Sequence, residues 1–123
     1  MNMSKKQRRL NDYLRGRLEK NRSMGPHEIK YEKFVFRIAE QVFSPAFFLG
    51  WKYYTPLLAA MNLSGKRFLE IGCGCGITGL YLAATQNLKQ LVLADINPHA
   101  VENAKANAKN LGLNTDMTFY NSD

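Results

Sequence analysis

Phe68-Leu69-Glu70-Ile71-Gly72-Cys73-Gly74-Cys75-Gly76 is the stretch on which the reading of this chain turns. Its first half is a short buried strand carrying one acid. Three glycines at alternate positions follow, and then an apolar helix begins at Ile77. Glycine at 72, 74 and 76 lets the backbone pass close to a ligand where a Cβ would intrude. A second apolar run, Leu91-Val92-Leu93-Ala94, ends in Asp95, a carboxylate at a strand tip placed to hold ribose hydroxyls. Strand, glycine turn, helix, strand and acid together mark the nucleoside-binding half of an α/β domain.

A dinucleotide fingerprint also fits in part. Gly74, Gly76 and Gly79 satisfy Gly-x-Gly-x-x-Gly, with Asp95 21 residues after Gly74. That motif wants its first glycine directly after an apolar strand. With Gly74 first, Glu70 and Gly72 fall where apolar residues belong; with Gly72 first, Ile77 stands where the third glycine should be. An NAD-binding oxidoreductase domain is therefore the weaker reading, and Gly79 becomes a helix-packing position.

An acid followed by Gly-x-Gly-x-Gly resembles the first motif of the class I S-adenosylmethionine-dependent methyltransferases. Ala94-Asp95-Ile96-Asn97-Pro98-His99-Ala100, feeding an Asn- and Ala-rich helix, resembles their small-domain subgroup. That subgroup includes release-factor glutamine methyltransferases and RNA base methyltransferases. The resemblance runs from about Val42 to Asp123. It implies an enzyme whose cofactor is S-adenosyl-L-methionine and whose acceptor is an amide or amine nitrogen of a protein or an RNA. The backbone at Gly72, Cys73, Gly74 and Gly76 would then wrap the methionine and ribose portions. Glu70 would hold the methionine ammonium, with capping of loop amides as its structural alternative. Asp95 would accept from the ribose hydroxyls, or else cap the next helix. Ile96 would meet the adenine face, and Asp123, after the third strand, would read the adenine amino group.

The resemblance assigns no catalytic residue. Similar enzymes align the acceptor with an Asn-Pro-Pro-Tyr loop after the fourth strand, and the chain stops before one. Asn97-Pro98 is not a substitute, because it starts a helix.

Outward from the glycine turn the order is regular. Strands are expected at 67–71, 90–95 and about 116–121, with helices at about 76–86 and 98–111. Asn97 suits the N-cap, Pro98 the first turn and Gly112 the C-terminal end of the second of these helices. Val101, Ala104, Ala108 and Leu111 would face the sheet. This βαβαβ order gives a Rossmann-like α/β fold with strand order 3-2-1. Upstream, residues 4–21 suit a helix capped by Ser4, with Leu10, Tyr13, Leu14 and Leu18 on one stripe, and Ser23-Met24-Gly25-Pro26 breaks it. Ile29 to Phe43 fits either a strand or a helix; a strand or hairpin is favoured, in part because similar methyltransferases have one there. Phe47, Phe48, Trp51, Tyr53 and Tyr54 precede or open a further helix, with Pro56 tolerable only near its start. These aromatics either pack that helix on the sheet or face the cleft. Three segments result: a basic helical arm (1–25), an extension (26–64) and a truncated S-adenosylmethionine-binding domain (65–123).

The net charge of +7 is concentrated at one end. Residues 1–22 hold eight Lys or Arg against Asp12 and Glu19, a net +6, which leaves +1 for the rest. Such an arm suits RNA phosphates through salt-sensitive contacts, or is simply a solvated helix. No apolar run reaches the roughly 18–20 residues needed to span a bilayer, and no signal-like core follows the basic start. Cys73 and Cys75 are too few to close a zinc site, so no metal is expected, and both read as loop-fillers in a reducing compartment, the cytoplasm. With only three strands of such a sheet, the 123 residues are expected to be part of a longer reading frame, inactive alone and weak in cofactor binding. A non-catalytic interaction scaffold built on the same half-fold is the remaining alternative.

Overall fold

The computed structural model describes residues 2–122. Helix α1, Lys5–Met24, opens with a capping box: the Gln7 amide donates to Ser4 Oγ at 3.2 Å and the Ser4 amide to Gln7 Oε1 at 2.7 Å. Gly25, at φ +65°, ends it. The helix stands largely in solvent, but its last turn is fastened. Asn21 is buried; its side chain donates to the Val42 carbonyl at 3.1 Å and accepts from the Ser44 amide at 2.6 Å.

The ambiguous stretch is an antiparallel hairpin, β1 His27–Tyr31 and β2 Phe34–Ile38, followed by an irregular loop. Phe36 and Ile38 are fully buried while Val35 and Arg37 are exposed, so the period of two prevails over the helical one. Two asparagines of helix α4 (Pro98–Leu111), Asn103 and Asn107, hold β2. They accept from the Ala39 and Arg37 amides, each at 2.9 Å, and both donate to the Arg37 carbonyl. The Arg37 amide and carbonyl on the open edge of β2 are thereby satisfied without a further strand.

Helix α2, Trp51–Ala59, begins after Phe47 and Phe48 and carries Pro56 in its interior. The sequence allowed proline only near the start. Pro56 and Lys52 both lie on the exposed side, where water can take the place of the amide donor that proline lacks.

Beyond it come β3 Arg67–Ile71, α3 Ile77–Thr85, β4 Gln90–Asp95, α4 Pro98–Leu111 and β5 Met117–Asn121. The three strands form a parallel sheet in the order β3-β4-β5. Asn97 caps α4 by accepting from the His99 amide at 3.0 Å, and Gly112 closes it at φ +65°. Alternation along the strands puts Phe68, Glu70, Leu91, Leu93 and Phe119 on one face, under α3 and α4. Leu80, Leu82, Leu91 and Leu93 are wholly buried there, each contributing about 1.5–3 kcal/mol. Leu69, Ile71 and Tyr120 lie exposed on the opposite face. Glu70 therefore points into the covered layer, beneath the start of α3.

Candidate functional site

The glycine turn folds back on the tip of β4. The Gly72 and Cys73 amides both donate to the Ala94 carbonyl, at 2.8 and 3.0 Å, and the Gly76 amide to the Cys73 carbonyl at 2.9 Å. Gly72, Gly74 and Gly76 have φ of +75°, +55° and +86°, the left-handed region where only glycine is unstrained. A Cβ on Gly72 would meet nothing within 4 Å, and one on Gly74 only the Phe43 carbonyl oxygen at 3.9 Å. Side-chain-free backbone thus borders open space.

That space is a cleft of about 560 Å³, in the range of small-molecule sites. Gly72, Cys73 and Gly74 form its floor. Asp95, Ile96 and Asn97 form one wall, and Phe43, Phe48, Trp51 and Tyr54 another. Asp95 bridges the parts: Oδ2 accepts from the Gly74 amide and Oδ1 from the Asn97 amide, both at 2.9 Å. An ionised carboxylate has about four acceptor positions, so two are left for a ligand's hydroxyls. Ile96 is 70% exposed, an apolar side chain at the rim. Asn97 is engaged structurally: besides capping α4, its Nδ2 donates to the Gln41 carbonyl at 2.7 Å.

Two residues expected at the site lie beneath it. Glu70 does not line the cleft; its Oε1 accepts from the Gly79 amide at 3.2 Å, at the third position of α3. It does there what an N-cap side chain does elsewhere, because Gly76, the N-cap, has no side chain. Gly76 likewise faces inward, where a Cβ would come within 2.8 Å of Leu80 Cδ1 and 3.2 Å of Ala104 Cβ. Gly79 is packed still closer, with its missing Cβ 2.6 Å from Leu93 Cδ2. Asp123 lies outside the described residues.

Burial raises the Glu70 carboxyl from about 4.5 to about 7; the Asp95 charge adds to the rise and the Gly79 hydrogen bond opposes it. Burial also pushes the Cys73 and Cys75 thiols up to about 12, with Glu70 and other nearby charges adding. Both cysteines are free, and at neutral pH both are protonated, hence neither nucleophiles nor ready metal ligands. Among the described residues no three His, Cys, Asp or Glu are placed to hold a metal ion. No helix of the described residues is long and apolar enough to cross a membrane.

The aromatic segment divides between its two readings. Trp51 is buried against Tyr31, edge to face at 5.1 Å, and donates to the Pro45 carbonyl at 2.9 Å. Phe43 and Phe48 pack on each other at 4.7 Å and, with Tyr54, present to the cleft. Tyr53 points away, 77% exposed. Ser44 fixes this wall. It is buried, its hydroxyl is 2.6 Å from His27 Nε2, and its amide donates to Asn21. Its role gave no signal beyond the Phe-Ser-Pro turn itself.

A parallel α/β unit with a glycine turn and a strand-tip acid bordering a cleft defines a nucleoside-binding domain. Residues 53–123, more than half of the chain, match the family Methyltransferase small domain, and the chain belongs to that family. It is 34% identical over 98 residues to a Methanocaldococcus jannaschii protein named "Putative protein N5-glutamine methyltransferase", covering 77% of this chain and 45% of that one. To the ribosomal RNA small subunit methyltransferase C of Stutzerimonas stutzeri it is 38% identical over 56 residues, 46% of this chain and 17% of that one. The chain thus spans less than half the length of these relatives. In fold it resembles the tRNA (uracil-54, C5)-methyltransferase of Pyrococcus abyssi, solved with S-adenosyl-L-homocysteine, with a TM-score of 0.61 at 17% identity, over 76% of this chain and 23% of that one.

Proposed function

We propose that the chain supplies the cofactor-binding unit of an S-adenosylmethionine-dependent methyltransferase acting on an amide or amine nitrogen of a protein or RNA. The observation that carries this is the pairing of bare, positive-φ backbone at Gly72 and Gly74 with Asp95, whose Oδ2 is held by the Gly74 amide at 2.9 Å, on the border of an open cleft. In this reading residues 65–123 are the first βαβαβ half of a Rossmann-like class I fold, strand order 3-2-1. Residues 26–64 close the cleft, and 1–25 form the basic arm.

The cofactor, when bound, supplies an already activated methyl on a sulfonium. The protein's task is then binding, orientation and exclusion of water. Asp95 takes the ribose hydroxyls on its two remaining acceptor positions. Gly72, Cys73 and Gly74 shape the backbone around the methionine and ribose, with Gly76 packing the turn from beneath, and Ile96 covers the adenine. Glu70 compensates the methionine ammonium from below the turn, directly or through water. Asp123 reads the adenine amino group. Phe43, Phe48 and Tyr54 keep the methyl-bearing end dry. The acceptor classes follow the names of the relatives, one a protein glutamine methyltransferase and one a ribosomal RNA methyltransferase. Two free, protonated thiols suit the reducing cytoplasm.

Amide chemical-shift perturbation with S-adenosyl-L-homocysteine tests the reading, because it detects binding down to millimolar affinity. Shifts are expected at Gly72–Gly74 and Asp95–Asn97. Shifts there with a nicotinamide dinucleotide and none with adenosylhomocysteine would overturn it.

A further inference from the structure

We propose that the outer face of α1 docks RNA, and therefore that the acceptor nitrogen belongs to an RNA. Only the second half of this statement rests on the methyltransferase reading; docking by α1 stands or falls alone. The helix carries Lys5, Lys6, Arg8, Arg9, Arg15, Arg17, Lys20 and Arg22. Among the described residues none of the eight has an ion-pair partner. Its first turn holds no acid, so four cations crowd the positive end of the helix dipole. Each such placement disfavours the helix, a disadvantage that an anionic partner reverses.

The arrangement of the charges selects the kind of anion. At 100° per residue the eight cations occupy an arc of about 220°, over a length of ~26 Å. A flat acidic protein surface meets far less of a helix's circumference than that. Phosphates lining both sides of a groove or a folded strand match it. Arg17, itself half-buried, lies over the exposed Tyr13 ring at 5.0 Å, a cation–aromatic pair of the kind that stacks on an unpaired base. The remaining arc, through Leu10, Leu14 and Leu18, is the side on which Asn21 fastens the helix to the domain. Leu10 and Leu14 on that side are exposed, and a membrane is the rival occupant that the vesicle arm of the test addresses. The fastening also gives docking a direction: Asn21 grips Val42 and Ser44 on either side of Phe43, and Phe43 stands at the lip of the cleft, 62% exposed. An RNA held along α1 is thus delivered to the cleft mouth.

The test is fluorescence anisotropy with a labelled RNA stem-loop of about 20 nucleotides across a salt series, on the wild-type chain and on Lys5→Gln/Lys6→Gln/Arg8→Gln/Arg9→Gln. Glutamine keeps helix propensity, and far-ultraviolet circular dichroism checks that α1 survives. The wild type is expected to bind with a steep log–log salt dependence. The variant is expected to bind at least tenfold more weakly, with a slope shallower by about 2–3. No saturable binding, or equal binding by the variant, overturns docking. So does equal affinity for duplex DNA of the same sequence, for polyglutamate, or for vesicles containing phosphatidylserine. Phe43→p-benzoylphenylalanine is expected to photo-crosslink the bound RNA; docking without this crosslink overturns delivery to the cleft. The adenosylhomocysteine shifts are measured without RNA, so failure of either claim leaves the other readable.

Discussion

Four glycines within eight residues look equivalent on paper and do opposite jobs in the fold. At the lip of the turn, Gly72 and Gly74 border emptiness; a Cβ on either would touch nothing closer than 3.9 Å. At its base, Gly76 and Gly79 are spaces already filled by neighbours, with Leu80, Leu93 and Ala104 within 2.6–3.2 Å of where a Cβ would stand. The lip is shaped for something the chain does not itself provide, and the base lets α3 lie close on β4. A glycine motif is therefore two signals superimposed, one for binding and one for packing.

Substitution separates them, and the base gives the largest effect. Gly76→Ala combines a positive φ of +86° with overlap onto Leu80 and Ala104. It is expected to destabilise by about 2–4 kcal/mol, read as a lowered denaturant midpoint. Gly79→Ala, in unstrained helical backbone but 2.6 Å from a Leu93 carbon with no free space, is expected to lose roughly 1–2 kcal/mol net of alanine's better helix propensity. A neutral result at both positions would remove the packing half of the comparison.

At the lip the effect moves from stability to binding. Asp95→Asn keeps the size but turns an –NH₂ toward one of two amide donors and removes the charge that favours ribose hydroxyls. Charge-assisted hydrogen bonds of this kind are worth about 1.5–3 kcal/mol, so adenosylhomocysteine binding is expected to weaken on the order of 10–100-fold in the shift titration. Gly72→Ala has φ +75° but no crowding, so about 1 kcal/mol of stability is expected to be lost. Its cofactor shifts should fall disproportionately. Unchanged binding in both variants would mean that the cleft serves another ligand.

Much of this was legible beforehand because local and global signals agreed. The strand at 67–71, the Asn97 cap, Pro98 and the Gly112 stop needed only propensity and period, and the sheet merely had to accept them. Hidden features depended on tertiary partners. Asn103 and Asn107 look like surface residues of an amphipathic helix, yet they are buried because β2 presents an edge for them to satisfy. The interior position of Pro56 was unreadable because its tolerance depends on which side of α2 faces water. The cleft's aromatic wall was seen as a cluster, but which rings face inward is fixed by Ser44, Asn21 and His27, residues far apart in sequence.

Glu70 sits between lip and base, and its substitution sharpens the comparison most finely. With the carboxyl raised from about 4.5 to about 7, the folded state prefers the proton more than the unfolded chain does. The resulting stability is fully present below pH 4.5. It is lost as pH climbs toward 7, where the unfolded chain ionises first, and it stays lost above. Glu70→Gln abolishes that decline while keeping an acceptor for the Gly79 amide. It gives up the favourable charge at the start of α3. The net expectation is a gain of about 1 kcal/mol at pH 8 and a flatter stability profile between pH 4.5 and 7. If Glu70 also compensates the ligand's ammonium, the same variant binds adenosylhomocysteine several-fold more weakly at pH 8. The wild-type affinity then rises with pH through 7 as the carboxylate forms. A stabilised variant with undiminished affinity would assign Glu70 wholly to the base, as the cap that Gly76 cannot provide.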